Sequence, residues 1–352
     1  MRGGPSSRFR FIPPKTWATI ALVGVAACAT SNKAKVSELS LPPITPISGK
    51  PNVDVRPFEP TIDGRWVGAG ISYGAYREGE APGDTPPKAN ILEDLQILSE
   101  RWNFIRIYGS GEHAEDIMEV IRDNELPILV MQGIWLGQDQ SKEENDAQVQ
   151  GAIDLAQRFP EIICAVNVGN EIFVDWSAHR MPDQAEVIAY IRQVRAAIRQ
   201  PVTVNDDYNF WNKPESKAIA DEIDFIGLHG YAFWNDKPFV EAHEWTKDTF
   251  ETIQAMHPEH LITFNETGWP TKRIYGDGSY EGGLVGKANE ENQKAFFDWF
   301  DAWVKEEKII SLYFEAFDES WKGGWDGAQP ADKAEKHWGL YKENRSPKAV
   351  ME

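Results

Sequence analysis

The sequence predicts a single closed (β/α)8 barrel, and three observations point there. Eight short apolar runs rich in Ile, Val and Phe alternate with helical stretches between residues 62 and 352. The spaced glycines that open a dinucleotide-binding sheet are missing: in Gly68-Ala69-Gly70-Ile71-Ser72-Tyr73-Gly74 the third glycine comes one residue late and no helix follows directly. Two of the apolar runs end on a glutamate, at Asn170-Glu171 and Asn265-Glu266, and the C-terminal strand ends are where such barrels build their sites.

In order, Trp66 to Tyr73 gives the first strand, and Asn90 to Trp102 a helix with Ile91, Leu92, Leu95 and Leu98 at helical spacing. Phe104 to Tyr108 is the second strand, Ala114 to Asn124 a helix, Pro127 to Gly133 the third strand, and Ala147 to Phe159 a helix. The fourth strand starts at Ile162 and stops at Gly169-Asn170-Glu171, where glycine and asparagine close the run. A helix over Gln184 to Arg199 leads to a strand at Pro201 to Asn205. A short helix at Ser216 to Glu222 leads to the sixth strand, Phe225 to Tyr231. Phe239 to Met256 is a long helix, Leu261 to Glu266 the seventh strand, Glu290 to Lys305 an aromatic-rich amphipathic helix, and Ile309 to Glu315 the eighth strand.

The N-terminus reads differently. Arg2, Arg8, Arg10 and Lys15 precede an uncharged apolar run from Trp17 to Ala27, the plan of an export signal and too short for a stable membrane span. Val25-Ala26-Ala27-Cys28 ends it, and small residues before a cysteine resemble a bacterial lipobox. Residues 1–28 are therefore expected to be a lipoprotein signal with lipid on Cys28, 29–61 a Ser-, Pro- and Lys-rich tether, and 62–352 the barrel. Ala29 after the cysteine points to the outer membrane. Cys164, inside the fourth strand, would then lack a disulfide partner.

A net charge of −19 argues against nucleic acid and anionic lipid surfaces as partners, since both would be repelled. The 14 tryptophans and 10 tyrosines favour a different ligand, because a flat aromatic face covers the apolar side of a sugar ring and leaves its hydroxyls free to bond. Trp176, Trp234, Trp269 and Trp321, near strand ends, are the candidate platforms. The seven histidines lack metal-ligand spacing, so no metal or cofactor is expected, and a monomer is expected.

Asn-Glu occurs four times, but Asn124-Glu125 ends a charged helix and Asn289-Glu290 opens another, where a glutamate is a solvated charge. Only Glu171 and Glu266 follow buried strands. Being strands four and seven, these would face each other across the barrel mouth and could flank one bound ligand. Paired carboxylates, one ionised and one protonated, are the machinery of glycoside hydrolysis.

The segments GISYGAYREGEAPG (Gly70 to Gly83), FIRIYG (Phe104 to Gly109), VGNE, NETGWP and FEAFDESWK (Phe314 to Lys322) resemble glycoside hydrolase family 17, the β-1,3-glucanases, from about Trp66 to Tyr341. The resemblance implies Glu171 as acid/base, Glu266 as nucleophile and Asn170 as the partner of the sugar 2-hydroxyl. Arg106 would hold the nucleophile charged, and Tyr73 and Tyr231 would bond the nucleophile or the sugar. It also implies a cleft in which Glu319, Lys322 and Glu335 bind glucose hydroxyls. His229-Gly230-Tyr231-Ala232-Phe233-Trp234 departs from the plant members and leaves the outer subsites unread. The expected activity is endo-acting cleavage of laminarin-type β-glucan. Its rivals are a transglycosylase on the same scaffold and a lipid-anchored glucan binder without turnover.

Overall fold

Short β-branched runs buried on both faces have one stable arrangement when helices separate them, a parallel sheet with helices packed outside. The computed structural model describes residues 53–322 and 330–352. Cys28, the signal and most of the expected tether lie outside the described residues.

Eight parallel strands close on themselves. They are β1 (Ala69–Ser72), β2 (Phe104–Ile107), β3 (Leu129–Ile134), β4 (Ile163–Asn170), β5 (Val202–Asp207), β6 (Phe225–His229), β7 (Leu261–Glu266) and β8 (Ser311–Tyr313). Closure is made where β8 pairs with β1, Ser311 opposite Ala69, and with β7, Ser311 opposite Phe264. The connecting helices are α1 (Lys88–Ser99), α2 (Glu112–Asp123), α3 (Lys142–Arg158), α4 (Gln184–Ala197), the short α5 (Tyr208–Trp211) and α6 (Lys217–Ala220), α7 (Phe239–Met256), the short α8 (Tyr280–Gly283) and α9 (Glu290–Glu307).

Local chemistry sets several boundaries. α3 starts five residues before the expected Ala147 because Ser141 and Glu144 form a reciprocal capping box, Ser141 Oγ accepting from Glu144 N. The first strand is shorter than expected: Trp66 belongs instead to a two-stranded hairpin, Thr61–Ile62 against Arg65–Trp66.

The barrel interior is graded. Phe104, Met131, Ala165, Phe225 and Leu312 fill its lower part, and Phe58 closes the floor by stacking on Phe225 at 4.4 Å. Arg56 fastens the same segment, its amide donating to Asp224 Oδ1 at 2.7 Å and its guanidinium to the carbonyls of Gln200 and Arg195. The folded part therefore begins before residue 62. Phe58 supplies an apolar plug that a Pro-rich reading of the segment hides. Above the floor the interior turns polar, with Arg106, Asn205, Asn265 and His229 buried in it.

Candidate active site

Glu266 ends β7. A register shift beside Leu228 and His229 sets His229, the last residue of β6, opposite Glu266. The carboxylate is only 5% exposed, and donors surround it. Arg106 Nη1 contacts Oε1 at 2.6 Å, Tyr108 OH donates to Oε1 at 3.0 Å, and Tyr231 OH donates to Oε2 at 2.7 Å. Burial alone would push the Glu266 pKa up, but the charges of His229 and Arg106 and the hydrogen bonds from Tyr231 and Arg106 outweigh it and hold the pKa below the ordinary value. Burial beside Glu266 pushes both phenols well up, so they remain protonated donors.

Arg106 is held in turn. It is fully buried, donates to the Asn265 carbonyl at 3.3 Å, and binds Asn170 Oδ1 through Nη2. With its amide oxygen turned toward the guanidinium, Asn205 accepts from Nε at 3.0 Å and Nη2 at 3.1 Å. A guanidinium bonded along its whole fork cannot swing away from the carboxylate.

Glu171 follows β4, where the register against β5 slips between Asn167 and Asn170. Gly169 takes φ +86° and Glu171 itself φ +51°, a left-handed turn that a glycine enters without a Cβ clash. The Glu171 amide bonds the Asn205 carbonyl at 2.9 Å, and buried Asp206 accepts from the Phe173 amide at 2.9 Å, fixing the loop beyond. The Glu171 side chain, 24% exposed, meets His229 Nδ1 at 2.9 Å. One oxygen from Glu171 and one from Glu266 lie within 4.8 Å of each other, with His229 in the same group. A deep, charged carboxylate and a more open one at this separation could flank a glycosidic bond as nucleophile and proton donor.

Glu171, His229 and Glu266 could also hold a metal ion between them. However, Arg106 Nη1 sits 2.6 Å from Glu266 and 3.3 Å from His229 Nε2, a fixed positive charge that opposes a second cation.

A second polar group lines the β8 side. Lys322 Nζ contacts Glu315 Oε2 at 2.5 Å and Glu319 Oε2 at 2.8 Å. Among the described residues no donor reaches Glu315 Oε1 or Glu319 Oε1, and burial, with Glu319 beside it, pushes the Glu315 carboxyl well up against the pull of Lys322. Gly74 makes room for this group, since a Cβ there would stand 2.2 Å from Glu319 Oε1. Burial pushes the Glu335 carboxyl up to about 6, with Lys322 opposing the rise and Glu171 adding to it.

Two expected ligand residues lie elsewhere. Tyr73 is buried with its hydroxyl 3.2 Å from Asp94 on α1, a carboxylate also bound by Arg345 and Arg77, so it braces β1 against α1. Trp269 is fully buried against Phe233, Phe239 and Phe296, and its indole N–H goes to the Lys287 carbonyl at 2.8 Å. No face of it is open to a sugar. Trp234 is half-buried beside Trp338, Trp321 packs edge-on to Tyr76, and Trp176 is 62% exposed. Sequence reasoning passed over Tyr108 and gave His229 no role of its own. Two-residue spacing could have found Tyr108, which lies two residues after Arg106, just beyond the end of β2.

Among solved structures, the fold is similar to an endo-laminarinase from Formosa Hel1_33_131, with TM-score 0.69, 23% identity, and coverage of 80% of this chain and 85% of that one. It is also similar to a family 17 β-1,3-glucanosyltransferase from Rhizomucor miehei, with TM-score 0.65, 18% identity, and coverage of 80% and 95%. In sequence, the chain is 26% identical over 258 residues to a glucan 1,3-beta-glucosidase of Schizosaccharomyces pombe, covering 68% of this chain and 75% of the relative. It is 24% identical over 287 residues to the glucan endo-1,3-beta-glucosidase btgC of Emericella nidulans, covering 76% of this chain and 42% of that longer relative. The model of the BtgE/BtgC glycoside hydrolase domain matches residues 70–339, which take in the strands that carry Arg106, Glu171, His229 and Glu266 as well as the Glu315–Lys322 group; the chain belongs to that family.

Proposed function

We propose that this glycoside hydrolase cleaves β-1,3-glucosidic linkages in laminarin-type glucan by double displacement, acting within the chain, in the manner of glycoside hydrolase family 17. The observation that carries the reading is a Glu266 carboxylate kept ionised by buried Arg106 at 2.6 Å, with a Glu171 oxygen within 4.8 Å. Glu266 attacks the anomeric carbon and Glu171 gives its proton to the departing oxygen. Glu171 then takes a proton from the water that releases the sugar from Glu266. Asn170 bonds the 2-hydroxyl, and Glu315, Glu319, Lys322 and Glu335 receive further hydroxyls. Glu315 Oε1 and Glu319 Oε1, which no donor among the described residues reaches, support this, since a buried oxygen gains most from a group brought by the ligand.

The choice of glucan rests on what the relatives are named for: glucan 1,3-beta-glucosidases, an endo-laminarinase, and a glucanosyltransferase whose active-site mutant is seen with laminaritriose. The last of these supports a second reading, in which a sugar hydroxyl replaces water in the second step. As part of the same proposal, Cys28 carries lipid and anchors the enzyme outside the cytoplasm, at the outer membrane.

The test is reducing-sugar release from linear β-1,3-glucan by the wild type, Glu266→Ala and Glu171→Gln, with products resolved by length. Internal cleavage lost in both variants is expected, whereas activity indifferent to both would overturn the assignment. Products longer than the starting oligosaccharide would select transfer over hydrolysis.

A further inference from the structure

We propose that the cavity between the β3–α3 and β4–α4 loops seats the glucan segment on the leaving-group side of the scissile bond. The cavity is about 340 Å³; around it stand the amides of Gln138, Gln140 and Asn145, the charged Lys142, Asp183 and Glu186, and the apolar Met181 and Pro182. That volume falls in the range of small-molecule sites, and amides, two carboxylates and an ammonium beside a small apolar patch offer both acceptors and donors to a polyhydroxyl ligand.

Its place relative to the catalytic pair gives it a direction. A general acid must stand beside the oxygen it protonates, so the loop that begins at Glu171 flanks the departing sugar. That same loop ends at the cavity wall, where the Met181 amide bonds the Ile172 carbonyl at 2.6 Å. The Glu315–Glu319–Lys322 group lies beyond β8, opposite β4 in the barrel order, and so serves the other side of the bond.

A run of contacts joins the two ends. His179 Nε2 bonds the Asn170 carbonyl at 2.6 Å, and its ring lies 4.3 Å from that of Trp135. Gln140, on the cavity wall, donates to the Trp135 carbonyl at 3.2 Å. Trp176, on the Glu171 loop, stands 62% exposed. The floor is rigid: Asn145, buried on α3, bonds both the amide and the carbonyl of Gly137. A chain leaving Glu171 therefore crosses an aromatic pair and reaches a hollow of amide and charged side chains on a fixed base, an arrangement suited to sugar rings and their hydroxyls.

This proposal rests on the hydrolytic reading above, and one experiment separates the two. For the full-length enzyme, kcat/KM is measured on nitrophenyl β-laminaribioside, whose leaving group ends before the cavity, and on laminarihexaose. Variants are the exposed pair Gln138→Ala/Glu186→Ala and, separately, Trp135→Ala. The ratio of the hexaose value to the aryl value is expected to fall about tenfold in each, the loss of one or two sugar hydrogen bonds or one stacking face. An unchanged ratio in the surface pair overturns the cavity's role whatever happens to Trp135→Ala. Absence of nitrophenol release by the wild type would instead sink the hydrolytic reading.

Discussion

Tyr231→Phe isolates the electrostatics of the proposed nucleophile. Its hydroxyl donates to Glu266 Oε2 at 2.7 Å in a buried setting, while Arg106 and Tyr108 hold the other oxygen at 2.6 and 3.0 Å. A hydrogen bond to a charged group is worth about 1.5–3 kcal/mol, and about 1.4 kcal/mol corresponds to one pKa unit. Because the hydrogen bond stabilises the ionised form, its loss raises the Glu266 pKa by roughly 1–2 units from a value now held below the ordinary range. The acidic limb of kcat/KM reports the base form in the free enzyme, so it should move toward neutral pH by about that amount. The assay is nitrophenol release from nitrophenyl β-laminaribioside across the acidic and neutral range. Tyr108→Phe should move the limb in the same direction by less, its contact being longer. A uniform drop at every pH with the limb unmoved would mean that Tyr231 only packs or binds sugar, and the reasoning about Glu266 would fail.

Other perturbations reach other parts of the account. Glu171→Gln should cut kcat/KM on unactivated glucan about 10²–10⁴-fold, and should cut it much less on an aryl substrate whose leaving group needs no proton, because kcat/KM covers the acid-assisted first displacement and not the base-assisted second; equal losses on both would contradict the acid role. Lys322→Met leaves Glu315 and Glu319 facing each other without their shared cation and should cost about 3–5 kcal/mol in denaturant unfolding; a stability near wild type would show that the two acids discharge each other by sharing a proton. Phe58→Ala opens the barrel floor and should cost about 3–5 kcal/mol while leaving KM unchanged. Cys28→Ala in an exporting bacterial host should move the protein from the membrane fraction to the soluble one, and membrane retention would rule out the lipid anchor.

Much of the barrel was legible because its period is strong. The span of α7 and that of β7 match the elements read from the sequence, since apolar spacing and closing residues mark both ends. Small elements escaped for want of period: α5 and α8 have four residues each, too few to show a repeat. The Phe58 plug was lost for another reason, in that a lone aromatic among prolines gains meaning only from the ring it stacks on. At the site, Glu171 and Glu266 were singled out as carboxylates ending apolar strands, and the structure brings them together. Tyr73 was misplaced because alternation along a strand fixes a face, but the residue beyond the strand end is free to turn away, here toward Asp94. His229 gave no signal of its own, as its place opposite Glu266 depends on a register shift between β6 and β7.

The most direct measurement of the central claim is to trap the glycosyl-enzyme. A 2-deoxy-2-fluoro laminaribiosyl fluoride slows both displacement steps and its leaving group needs little acid help, so the ester should accumulate on the wild-type enzyme. Mass spectrometry of the digested protein should find the sugar on the peptide carrying Glu266, and Glu266→Ala should remain unlabelled. Label on Glu171 or another residue, or inactivation without any covalent sugar, would contradict the account.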